Sequence, residues 1–585
     1  MVKNNEETST MQRILIANRG EIAVRIARAC ADAGYTSIAV YADQDFDAMH
    51  VRMADEAYAL SGETATETYL DMAKILAVGK EAKADAIHPG YGFLSENADF
   101  ARAVEDAGLI FIGPTADSIE QLGDKVVARQ IASSVGAPLV PGTEEPLKNA
   151  QEAYDFAEAF GLPVAIKAAF GGGGRGLKIV RELDEITDAF DAATREATAA
   201  FGRGECYIER FVDKPRHVEV QIVGDGEGEV VVVGDRDCSL QRRNQKLVEE
   251  APAPDLDDET RNRIHQAARD IGAAVKYRSA GTVEFLLGHD GTASFLEVNT
   301  RLQVEHPITE VTSGVDLVLE QLRVAEGRGL SITETPEPDG HAFEFRINAE
   351  DPGRGFLPSA GEVSVLDAPS GPGVRWDAGV KAGDRVEGAF DSMVAKLVVH
   401  GETREHALAR SRRALQELTV EGVATVAPFS RAVLEAEAFT TSPIEVYTQW
   451  IEEEFLSDFD AQARSKPAED ATLHRLPIEI DGRRVEIGLP QQLLAGLSAQ
   501  SGALPAEDAP EEDHDAVLAP VTGTLVSQLV QEGDSVSAGD DLAICEAMKS
   551  ETTVTAPKAG KVTWLVQEKE SISVDQPIAR IEDEP

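Results

Sequence analysis

Near the end of the chain, one short pattern occurs twice. The stretch APVTGTLVSQLVQEGDSV begins at Ala519, and APKAGKVTWLVQEKESI begins at Ala556. Each copy has Ala-Pro, a glycine three residues after the proline, an alternating apolar run and Val-Gln-Glu, and the copies are offset by 36 or 37 residues. Alternating apolar residues are typical of strands. Two copies of one strand set predict a small β-sandwich with approximate two-fold symmetry.

Lys549 lies between these two copies, in the stretch ICEAMKSE, where the first copy must turn back into the second. Most lysines are solvated surface charges, and an ordinary turn lysine is the alternative here. A hairpin tip, however, is the most accessible part of such a domain. We therefore interpret Lys549 as the attachment point of a covalently held, swinging cofactor.

Composition excludes several classes of protein. The chain has 585 residues, 43% of them hydrophobic and 27% charged, as expected for a globular protein of three or four domains. No apolar run approaches the roughly 20 residues that cross a bilayer, and the first ten residues lack the apolar core of a secretory signal. The net charge of -48 argues against a nucleic-acid partner. Four widely spaced cysteines without a CxxC pair favour a reduced, cytoplasmic setting over disulfides or zinc.

The N-terminal stretch RILIANRGEIAVRIARACADAGYTSIAVYAD predicts a parallel sheet. Residues 14–17 read as a strand, 21–33 as a helix with a periodic apolar face, and 37–41 as a second strand. Strand, helix and strand in succession form a βαβ unit. This part of the chain is therefore expected to be an α/β domain.

A glycine-rich loop follows a short apolar strand in LPVAIKAAFGGGGRGLKIV, residues 162–180. The strand ends at Lys167, and the glycines at 171–174 allow backbone N–H groups to surround phosphate oxygens. No GK[ST] sequence closes the loop, so it is not a P-loop. A plain flexible loop is the alternative.

Residues 281–309 predict a hairpin with a polar face. TVEFLL and ASFLEVN flank the turn GHDG. If the second strand continues, a period of two places apolar and polar side chains on opposite faces. Carboxylate and amide oxygens are ligands that magnesium prefers, and Glu284 on the first strand could add another. A solvated edge balanced by salt bridges is the alternative. The apolar face comprises Leu296, Val298, Leu302 and Val304, and the polar face Glu297, Asn299, Arg301, Gln303 and Glu305.

Two further clusters carry charge. RHVEVQ places His217, Glu219 and Gln221 on one strand face, and DCSLQRRNQKLVEE concentrates Arg242, Arg243 and Lys246 in an otherwise acidic protein. Each alone is equally consistent with a surface charge cluster. Together with the glycine loop and the polar row, they suggest a site for several anions.

These motifs resemble the ATP-grasp enzymes, and specifically biotin carboxylase, from about Arg13 to Gly422. The resemblance rests on IANRGEIAVRIARA, HPGYGFLSEN, GDK, RHVEVQ, EVNTRLQVEHPITE and FEFRINAED. EAMK within the duplicated sandwich resembles the biotin carboxyl carrier domain. Met548 favours biotin over the lipoyl group of related domains. Arg210, Asn244 and Ser550 depart from residues common in the family.

The resemblance implies a role for each matching residue. ATP phosphates would meet Lys125 and Lys167 under a lid containing Gly173 and Gly174, while Glu209, His217 and Gln241 would line the nucleotide pocket. Magnesium or manganese would bind Glu284, Glu297 and Asn299. Bicarbonate would meet Lys246, Arg301, Gln303 and Val304, with Glu305 as base. Arg346 would stabilise the ureido oxygen of biotin on Lys549, the biotinyl-lysine.

The resemblance also implies the reaction. ATP would phosphorylate bicarbonate to carboxyphosphate, whose breakdown delivers CO2 to biotin held on the chain's own carrier. The expected protein is the alpha subunit of an acetyl- or propionyl-CoA carboxylase, with a place in fatty acid biosynthesis. The corresponding chain of pyruvate carboxylase or another biotin-dependent carboxylase is an alternative. A non-catalytic biotin-bearing scaffold is another.

The expected protein partners follow from the number of residues left for further domains. About 90 residues (423–512) remain after the carboxylase and carrier are assigned, too few for a carboxyltransferase domain. We therefore expect a separate carboxyltransferase beta subunit, a biotin protein ligase that modifies Lys549, and a homo-oligomer within a larger alpha–beta complex. No nucleic acid or membrane partner is expected.

The expected architecture is an α/β and α+β multidomain chain with a C-terminal all-β sandwich. The hairpin predicted at residues 475–490 could dock the partner, with an interdomain spacer as the alternative. The expected divisions are an N-terminal α/β domain (11–124), an ATP-grasp domain (125–340) with its lid at about 140–213, a carboxylase C-terminal domain (341–455), a linker with a candidate docking segment (456–513) and the carrier (514–585).

Overall fold

The computed structural model describes residues 11–582 except 144, 169–176, 202, 458, 460–472, 481–482, 491–514 and 548–549. Within those residues, no helix has the length and apolar character needed to span a membrane. The predicted positions Gly173, Gly174 and Lys549 lie outside the described residues.

A five-stranded parallel sheet forms the N-terminal part, in the order β3-β2-β1-β4-β5. This confirms the predicted βαβ unit. The first helix ends where Gly34 adopts a left-handed backbone (φ 80°), which glycine tolerates without cost from a Cβ. The elements are β1 (Arg13–Ile16), α1 (Gly20–Ala33), β2 (Thr36–Tyr41), α2 (Met49–Met53), β3 (Glu56–Ala59), α3 (Met72–Glu81), β4 (Ala86–His88), α4 (Ala98–Asp106), β5 (Ile110–Phe111), α5 (Ala116–Gly123) and α6 (Lys125–Ser134).

A small three-stranded antiparallel sheet follows, in the order β7-β6-β8, with two helices packed on it. Its apolar cluster, which includes Val164, Ile166 and Ile208, is separate from the other cores. The elements are α7 (Ala150–Phe160), β6 (Val164–Ala168), β7 (Leu177–Val180), α8 (Ile186–Phe201) and β8 (Cys206–Arg210).

Long antiparallel strands come next, and β12 and β13 form the hairpin predicted from GHDG. Alternate side chains of β9 enter the core: Val218, Val220 and Ile222 pack inside, as the period of two predicts. The elements are β9 (Arg216–Asp225), β10 (Val230–Arg242), β11 (Gln245–Ala251), α9 (Asp258–Ala274), β12 (Arg278–Leu287), β13 (Ala293–Asn299), α10 (His306–Ser313), α11 (Leu317–Ala325) and β14 (His341–Asn348).

The last carboxylase-like segment completes the same sheet. Its eight strands run β13-β12-β9-β10-β11-β14-β21-β19, so one antiparallel sheet continues across the division expected at residue 341. The elements are β15 (Glu350–Asp351), β16 (Leu357–Pro358), β17 (Gly361–Glu362), β18 (Val365–Asp367), β19 (Val374–Ala378), β20 (Arg385–Val386), β21 (Met393–Gly401), α12 (Arg404–Glu417), β22 (Thr419–Glu421), α13 (Ala427–Val433), α14 (Glu437–Thr440) and α15 (Trp450–Glu453).

A separate antiparallel hairpin pairs β23 (Leu473–Ile480) with β24 (Arg483–Pro490). Its register runs from Leu473 opposite Pro490 to Ile480 opposite Arg483. The strand pair predicted for this stretch is confirmed.

The C-terminal end is a sandwich of two four-stranded sheets, β25-β32-β30-β27 and β29-β28-β26-β31. Strands β26, β27 and β28 of the first copy correspond to β30, β31 and β32 of the second, and each sheet mixes the two copies. The predicted two-fold sandwich is confirmed. The elements are β25 (Ala516–Leu518), β26 (Gly523–Gln528), β27 (Ser535–Val536), β28 (Asp541–Ala547), β29 (Ser550–Thr555), β30 (Gly560–Trp564), β31 (Ser571–Ile572) and β32 (Pro577–Glu582).

Candidate functional site

A cavity of about 1580 Å³ opens where the small sheet, the long strands and the N-terminal sheet meet. Fourteen residues predicted for the site line this one cavity, although they come from distant parts of the chain. They are Lys125, Lys167, Glu209, His217, Gln241, Lys246, Glu284, Glu297, Asn299, Arg301, Gln303, Val304, Glu305 and Arg346.

At the centre, Glu305 lies between two cations. Its Oε1 is 2.8 Å from Lys246 Nζ, and its Oε2 is 2.9 Å from Arg346 Nη2. Burial alone would raise the pKa of Glu305, but the charges of Lys246, Arg346 and Arg236 hold that pKa well below its usual value. Glu305 is therefore an oriented carboxylate that stays ionised.

Lys246 contacts three acidic side chains at the centre of the site. Its Nζ lies 3.2 Å from Glu284 Oε1 and also contacts Glu219 Oε1. Burial would lower the pKa of Lys246, but the carboxylates of Glu219, Glu284 and Glu305 raise it well above its usual value. The ammonium group is therefore fixed as a buried positive charge.

Behind this centre, Arg236 donates hydrogen bonds to several side chains of the site. Its side chain is fully buried, and its guanidinium donates to five side chains. Nη2 donates to Gln303 Oε1 at 2.6 Å and to Glu219 Oε2 at 3.0 Å, so the amide of Gln303 is held in one orientation. The other acceptors are Gln221 Oε1 (2.8 Å), Thr309 Oγ1 (2.9 Å) and Thr282 Oγ1 (3.2 Å).

The sequence reasoning missed Arg236. The available signal was the pairing of β9 and β10, which sets Arg236 directly opposite Glu219. An arginine facing a glutamate inside a sheet indicates a buried, functional pair, because isolated charges are costly to bury.

The oxygen donors predicted for a metal ion lie together. Glu284 and Glu297 are direct cross-strand neighbours on β12 and β13, and Asn299 Nδ2 donates to Glu284 Oε1 at 2.7 Å. Asn299 Oδ1 accepts from Arg301 Nη2 at 2.9 Å, and Glu297 Oε2 is 3.5 Å from Lys125 Nζ. Two carboxylates and an amide oxygen fit a hard cation such as Mg²⁺.

His217, predicted for the nucleotide pocket, lies beside this cluster in the same cavity. Its Nε2 is 2.9 Å from Glu284 Oε2, and its Nδ1 is 2.7 Å from Gln241 Nε2. The Gln241 amide also donates to the Cys238 carbonyl at 2.9 Å, which orients its nitrogen toward the ring. Nδ1 is therefore the acceptor, and the ring proton is on Nε2, facing Glu284.

Two details of the predicted strand face are wrong. A register shift between Glu284 and Phe285 indicates a bulge in β13, so Phe295 and Val298 pack in the core while Leu296 lines the cavity beside Glu297.

The strand also ends at Asn299 instead of continuing to Glu305. Arg301, Gln303 and Glu305 reach the cavity from the loop that precedes α10, and Val304 lines the cavity with them instead of sharing an apolar face.

The basic cluster on β10 and β11 divides. Only Lys246 of its three cations lines the cavity. Arg242 turns away, stacking on Phe356 and donating to the Gly355 carbonyl at 2.8 Å. Arg243 adopts a positive φ of 49° in the turn, and its backbone N–H donates to Glu452. The expectation that all three cations serve one anion site is therefore wrong for Arg242 and Arg243.

At the far side of the cavity, Lys167 on β6 forms an ion pair with Glu209 on β8. Glu209 also lies 3.4 Å from Arg129, whose Nη2 donates to the Val140 carbonyl at 2.7 Å. Lys125 is largely exposed at the cavity rim. Arg210 points to Asp290 at 3.8 Å.

Lys396 supports the loop before Glu305. This fully buried lysine donates to the Val304 carbonyl at 2.8 Å and lies 3.2 Å from Glu21 Oε2. Burial raises the pKa of Glu21 to about 7, against the opposing charge of Lys396. The backbone next to Glu305 is thus anchored to helix α1.

Arg346 has a second partner that the sequence reasoning missed. Its Nε donates to Glu249 Oε1 at 2.6 Å, and β11 brings Glu249 beside β14. Burial raises the pKa of Glu249 to about 7, although Arg346 opposes that shift. Arg346 is therefore held from both sides, by Glu249 and Glu305.

Comparison with known proteins gives matches along most of the chain. Family models match for the biotin carboxylase N-terminal domain (residues 10–119), the ATP-binding domain of the carbamoyl-phosphate synthase L chain (124–333), the biotin carboxylase C-terminal domain (344–453) and the biotin-requiring enzymes (515–581).

Individual proteins and solved structures that match this chain are of the same kind as these family models. A biotin-dependent acyl-coenzyme A carboxylase alpha3 subunit from Mycobacterium leprae is 53% identical, over 96% of this chain and 97% of its own length. One of the pyruvate carboxylase subunits from Methanothermobacter thermautotrophicus is 43% identical, over 84% and 98%. The crystal structure of biotin carboxylase from Campylobacter jejuni in a beta-gamma-ATP complex has a TM-score of 0.71 and 41% identity, over 76% and 98%. The biotin carboxylase domain of Hydrogenobacter thermophilus 2-oxoglutarate carboxylase, solved with MgADP, ADP and bicarbonate, has a TM-score of 0.71 and 40% identity, over 77% and 100%.

Proposed function

The chain belongs to the biotin carboxylase family of ATP-grasp enzymes, with a biotinyl domain fused at its C-terminal end, and from that premise we propose that it is the alpha subunit of an acyl-CoA carboxylase. Its reaction is the ATP- and bicarbonate-dependent carboxylation of biotin held on its own carrier. The observation that carries the proposal is the carboxylate of Glu305, which lies between Lys246 and Arg346 in a cavity with grouped oxygen ligands.

Bicarbonate binds at the centre of the cavity. Lys246 and Arg301 offset its negative charge, and the amide of Gln303 and the backbone at Val304 orient it. Glu305 accepts its proton, since its carboxylate is an oriented acceptor directly beside Lys246, one of the cations that bind bicarbonate. Bicarbonate is a poor electrophile, so ATP installs phosphate as a leaving group and forms carboxyphosphate.

Phosphoryl transfer requires positioning and charge stabilisation more than covalent chemistry. Lys125 and Lys167 bind ATP phosphates, with Gly173 and Gly174 in a lid above them, while Glu209, His217 and Gln241 line the nucleotide pocket. Glu284, Glu297 and Asn299 would hold Mg²⁺ or Mn²⁺. Such an ion, when bound, would neutralise charge on the phosphates.

The carrier supplies the acceptor. Carboxyphosphate breaks down to CO2 and inorganic phosphate, and biotin on Lys549 gives its N1 proton to that phosphate as N1 takes up the CO2. Arg346 stabilises the charge that develops on the ureido oxygen. The pairing of Arg346 with Glu249 and Glu305 orients the guanidinium for that role.

The assembly follows from the carrier's purpose. A separate carboxyltransferase beta subunit takes the carboxyl group to an acetyl- or propionyl-CoA, and a biotin protein ligase modifies Lys549. We place the complex in the cytoplasm, in fatty acid biosynthesis, with several alpha chains in one alpha–beta assembly. The domain divisions expected from the sequence, including the docking segment within 456–513, belong to this proposal.

A second candidate acceptor is pyruvate. The relative from Methanothermobacter thermautotrophicus, matched over 84% of this chain, is named as part of a pyruvate carboxylase. Because a separate transferase would choose the acceptor, the carboxylase cavity alone does not distinguish the two.

The test has two stages. The purified chain, with and without biotin ligase, is assayed for bicarbonate-dependent ATP cleavage in the presence of free biotin. The biotinylated chain is then labelled with ¹⁴C-bicarbonate and offered acetyl-CoA, propionyl-CoA or pyruvate with carboxyltransferase subunits of each type. If ATP cleavage does not depend on bicarbonate, the proposed biotin carboxylase activity is refuted. Transfer to pyruvate alone would refute the acyl-CoA acceptor.

A further inference from the structure

The carrier sandwich touches the carboxylase beside its cavity. At Gly388, a Cβ would lie only 3.1 Å from the carbonyl oxygen of Thr522 on the carrier. Leu357 on β16 packs against the carrier's core cluster. These two residues form what we call the carrier shelf.

The carrier shelf lies at the cavity rim. Leu357 is followed directly by Pro358, which lines the cavity, and Gly388 stands just before Asp391, Ser392 and Met393, which also line it. A domain seated on the carrier shelf is therefore beside residues that line the cavity containing Arg346 and Glu305.

On the carrier side, the contact lies beside the end of β28, the strand that precedes Lys549 in the sequence. Thr522 precedes Gly523, where a Cβ would lie 2.0 Å from the carbonyl oxygen of Glu546 and 3.0 Å from the Cβ of Ala547. Ala547 ends β28 two residues before Lys549. The hydroxyl of Thr522 accepts from the backbone N–H of Val574 at 3.0 Å, which ties the contacting loop to the sandwich.

Gly388 is not required by its own backbone. Its φ lies outside the left-handed range in which side chains are strained, unlike the positive φ of Gly383 nearby. The three atoms nearest to a Cβ built at this position, apart from those of the adjoining residues, all belong to Thr522. A side chain added at Gly388 would therefore press first against the carrier.

We propose that Gly388 and Leu357 are the surface on which this chain's carrier domain docks while its biotin is carboxylated. The inference rests on the proposed function and adds the contact that presents the carrier to the cavity. Larger side chains at Gly388 push the carrier away from the rim, whereas free biotin diffuses in without touching the shelf.

The test separates loading of the carrier from chemistry in the cavity. The variants are Gly388→Ala, Gly388→Val and Leu357→Ser in the full biotinylated chain. Two rates are measured for each: ¹⁴C transfer to the protein's own biotin, and bicarbonate-dependent ATP cleavage with free biotin. Leu565→Ser on the carrier, which removes a half-exposed leucine outside the contact described above, is the matched control.

The expected result is a graded loss of carrier loading. Gly388→Val and Leu357→Ser lower the transfer rate about tenfold, Gly388→Ala lowers it less, and the free-biotin rate stays within about twofold of the wild type. Equal losses in both assays would refute the proposed docking surface, since they would indicate damage to the cavity. An unchanged rate of transfer to the protein's own biotin would refute it as well. Failure of the proposed function looks different, because the wild-type chain itself would then lack activity with free biotin.

Discussion

Glu305 and Arg346, 41 residues apart in the chain, are joined by an ion pair of 2.9 Å between Oε2 and Nη2. The other carboxylate oxygen of Glu305 is 2.8 Å from Lys246. With a cation at each oxygen, Glu305 is oriented before any substrate arrives. The same pair connects the residue proposed to deprotonate bicarbonate with the residue proposed to face biotin.

Glu305→Gln keeps the shape of the side chain and removes its charge. We expect kcat/KM for free biotin to fall at least about 100-fold, because a positioned general base contributes about that much or more. The measurement is ADP release with and without bicarbonate. Glu362→Gln, at an exposed position on β17, should match the wild type. Retention of most activity in the Glu305 variant would refute the assignment of the base.

Glu297→Gln tests the metal site. Its carboxylate is half-exposed, so the change should leave the fold intact while removing one anionic oxygen ligand. We expect the Mg²⁺ concentration for half-maximal activity to rise about tenfold, and EDTA to abolish the activity of the wild type until Mg²⁺ is returned. Glu337→Gln on the surface is the matched control. An unchanged Mg²⁺ titration would remove Glu297 from the metal site.

Arg236→Lys tests the buried network behind the bicarbonate site. Lysine retains the charge but cannot reproduce the planar fork that serves Glu219 and Gln303 together. We expect the KM for bicarbonate to rise about tenfold and the KM for ATP to change less than about threefold. Steady-state titration of each substrate gives both constants. A parallel rise in both would indicate general unfolding of the site instead of lost orientation of Gln303.

Glu250 gives a prediction for pH. Against its burial, Arg404 and His341 lower the pKa of Glu250 from 4.5 to about 2. Because the folded-state pKa is the lower one, the ionised carboxylate contributes stability above about pH 4.5, and that contribution is lost as the pH falls towards 2. Glu250→Gln should therefore destabilise the protein at pH 7 by about 3 kcal/mol.

Urea unfolding of the wild type and the Glu250→Gln variant at pH 7.5, 5.5 and 4.0 checks this prediction. The difference in free energy of unfolding should be smaller at pH 4.0 than at pH 5.5, because the Glu250 contribution begins to be lost below about pH 4.5. A difference that grows on acidification would contradict the assigned direction of the shift.

Lys549→Arg tests the attachment point. Co-expression with a biotin ligase should add the mass of one biotin to the wild-type chain and none to the variant, as measured by intact-protein mass spectrometry. Free-biotin activity should be the same in both, because biotin supplied in solution does not depend on attachment to the carrier. A persisting adduct would place the biotin on another lysine.

Regular strands made much of the site predictable from sequence. On β9, the period of two correctly grouped His217, Glu219 and Gln221 opposite the core residues, because β9 pairs with β12 there without a register shift. The same rule failed at Leu296, since the bulge in β13 changes which side chains face the cavity. The alternation also continued past Asn299 to Glu305 in the sequence, but the chain leaves the sheet at Asn299, so that part of the pattern did not correspond to a strand.

The supporting residues were less accessible to sequence reasoning. The hydrogen-bond partners of Arg236 lie on β9, β12, α10 and the loop before α10. Lys396 contacts both Val304 and Glu21, which are far apart in the sequence. Such contacts depend on how strands are ordered in the sheet, which local patterns do not encode. The motif resemblance identified the residues that line the cavity. The buried charges of Arg236 and Lys396 behind them were identified only from the three-dimensional structure.

The long sheet has a practical consequence for anyone who dissects this chain. Strands β11 and β14 pair from Val248 opposite Phe345 to Ala251 opposite Ala342, so severing the polypeptide near residue 341 strips a hydrogen-bonding partner from each piece. Bare sheet edges of that kind associate with one another and precipitate. Truncations meant to yield well-behaved fragments should keep β9 through β21 on a single polypeptide.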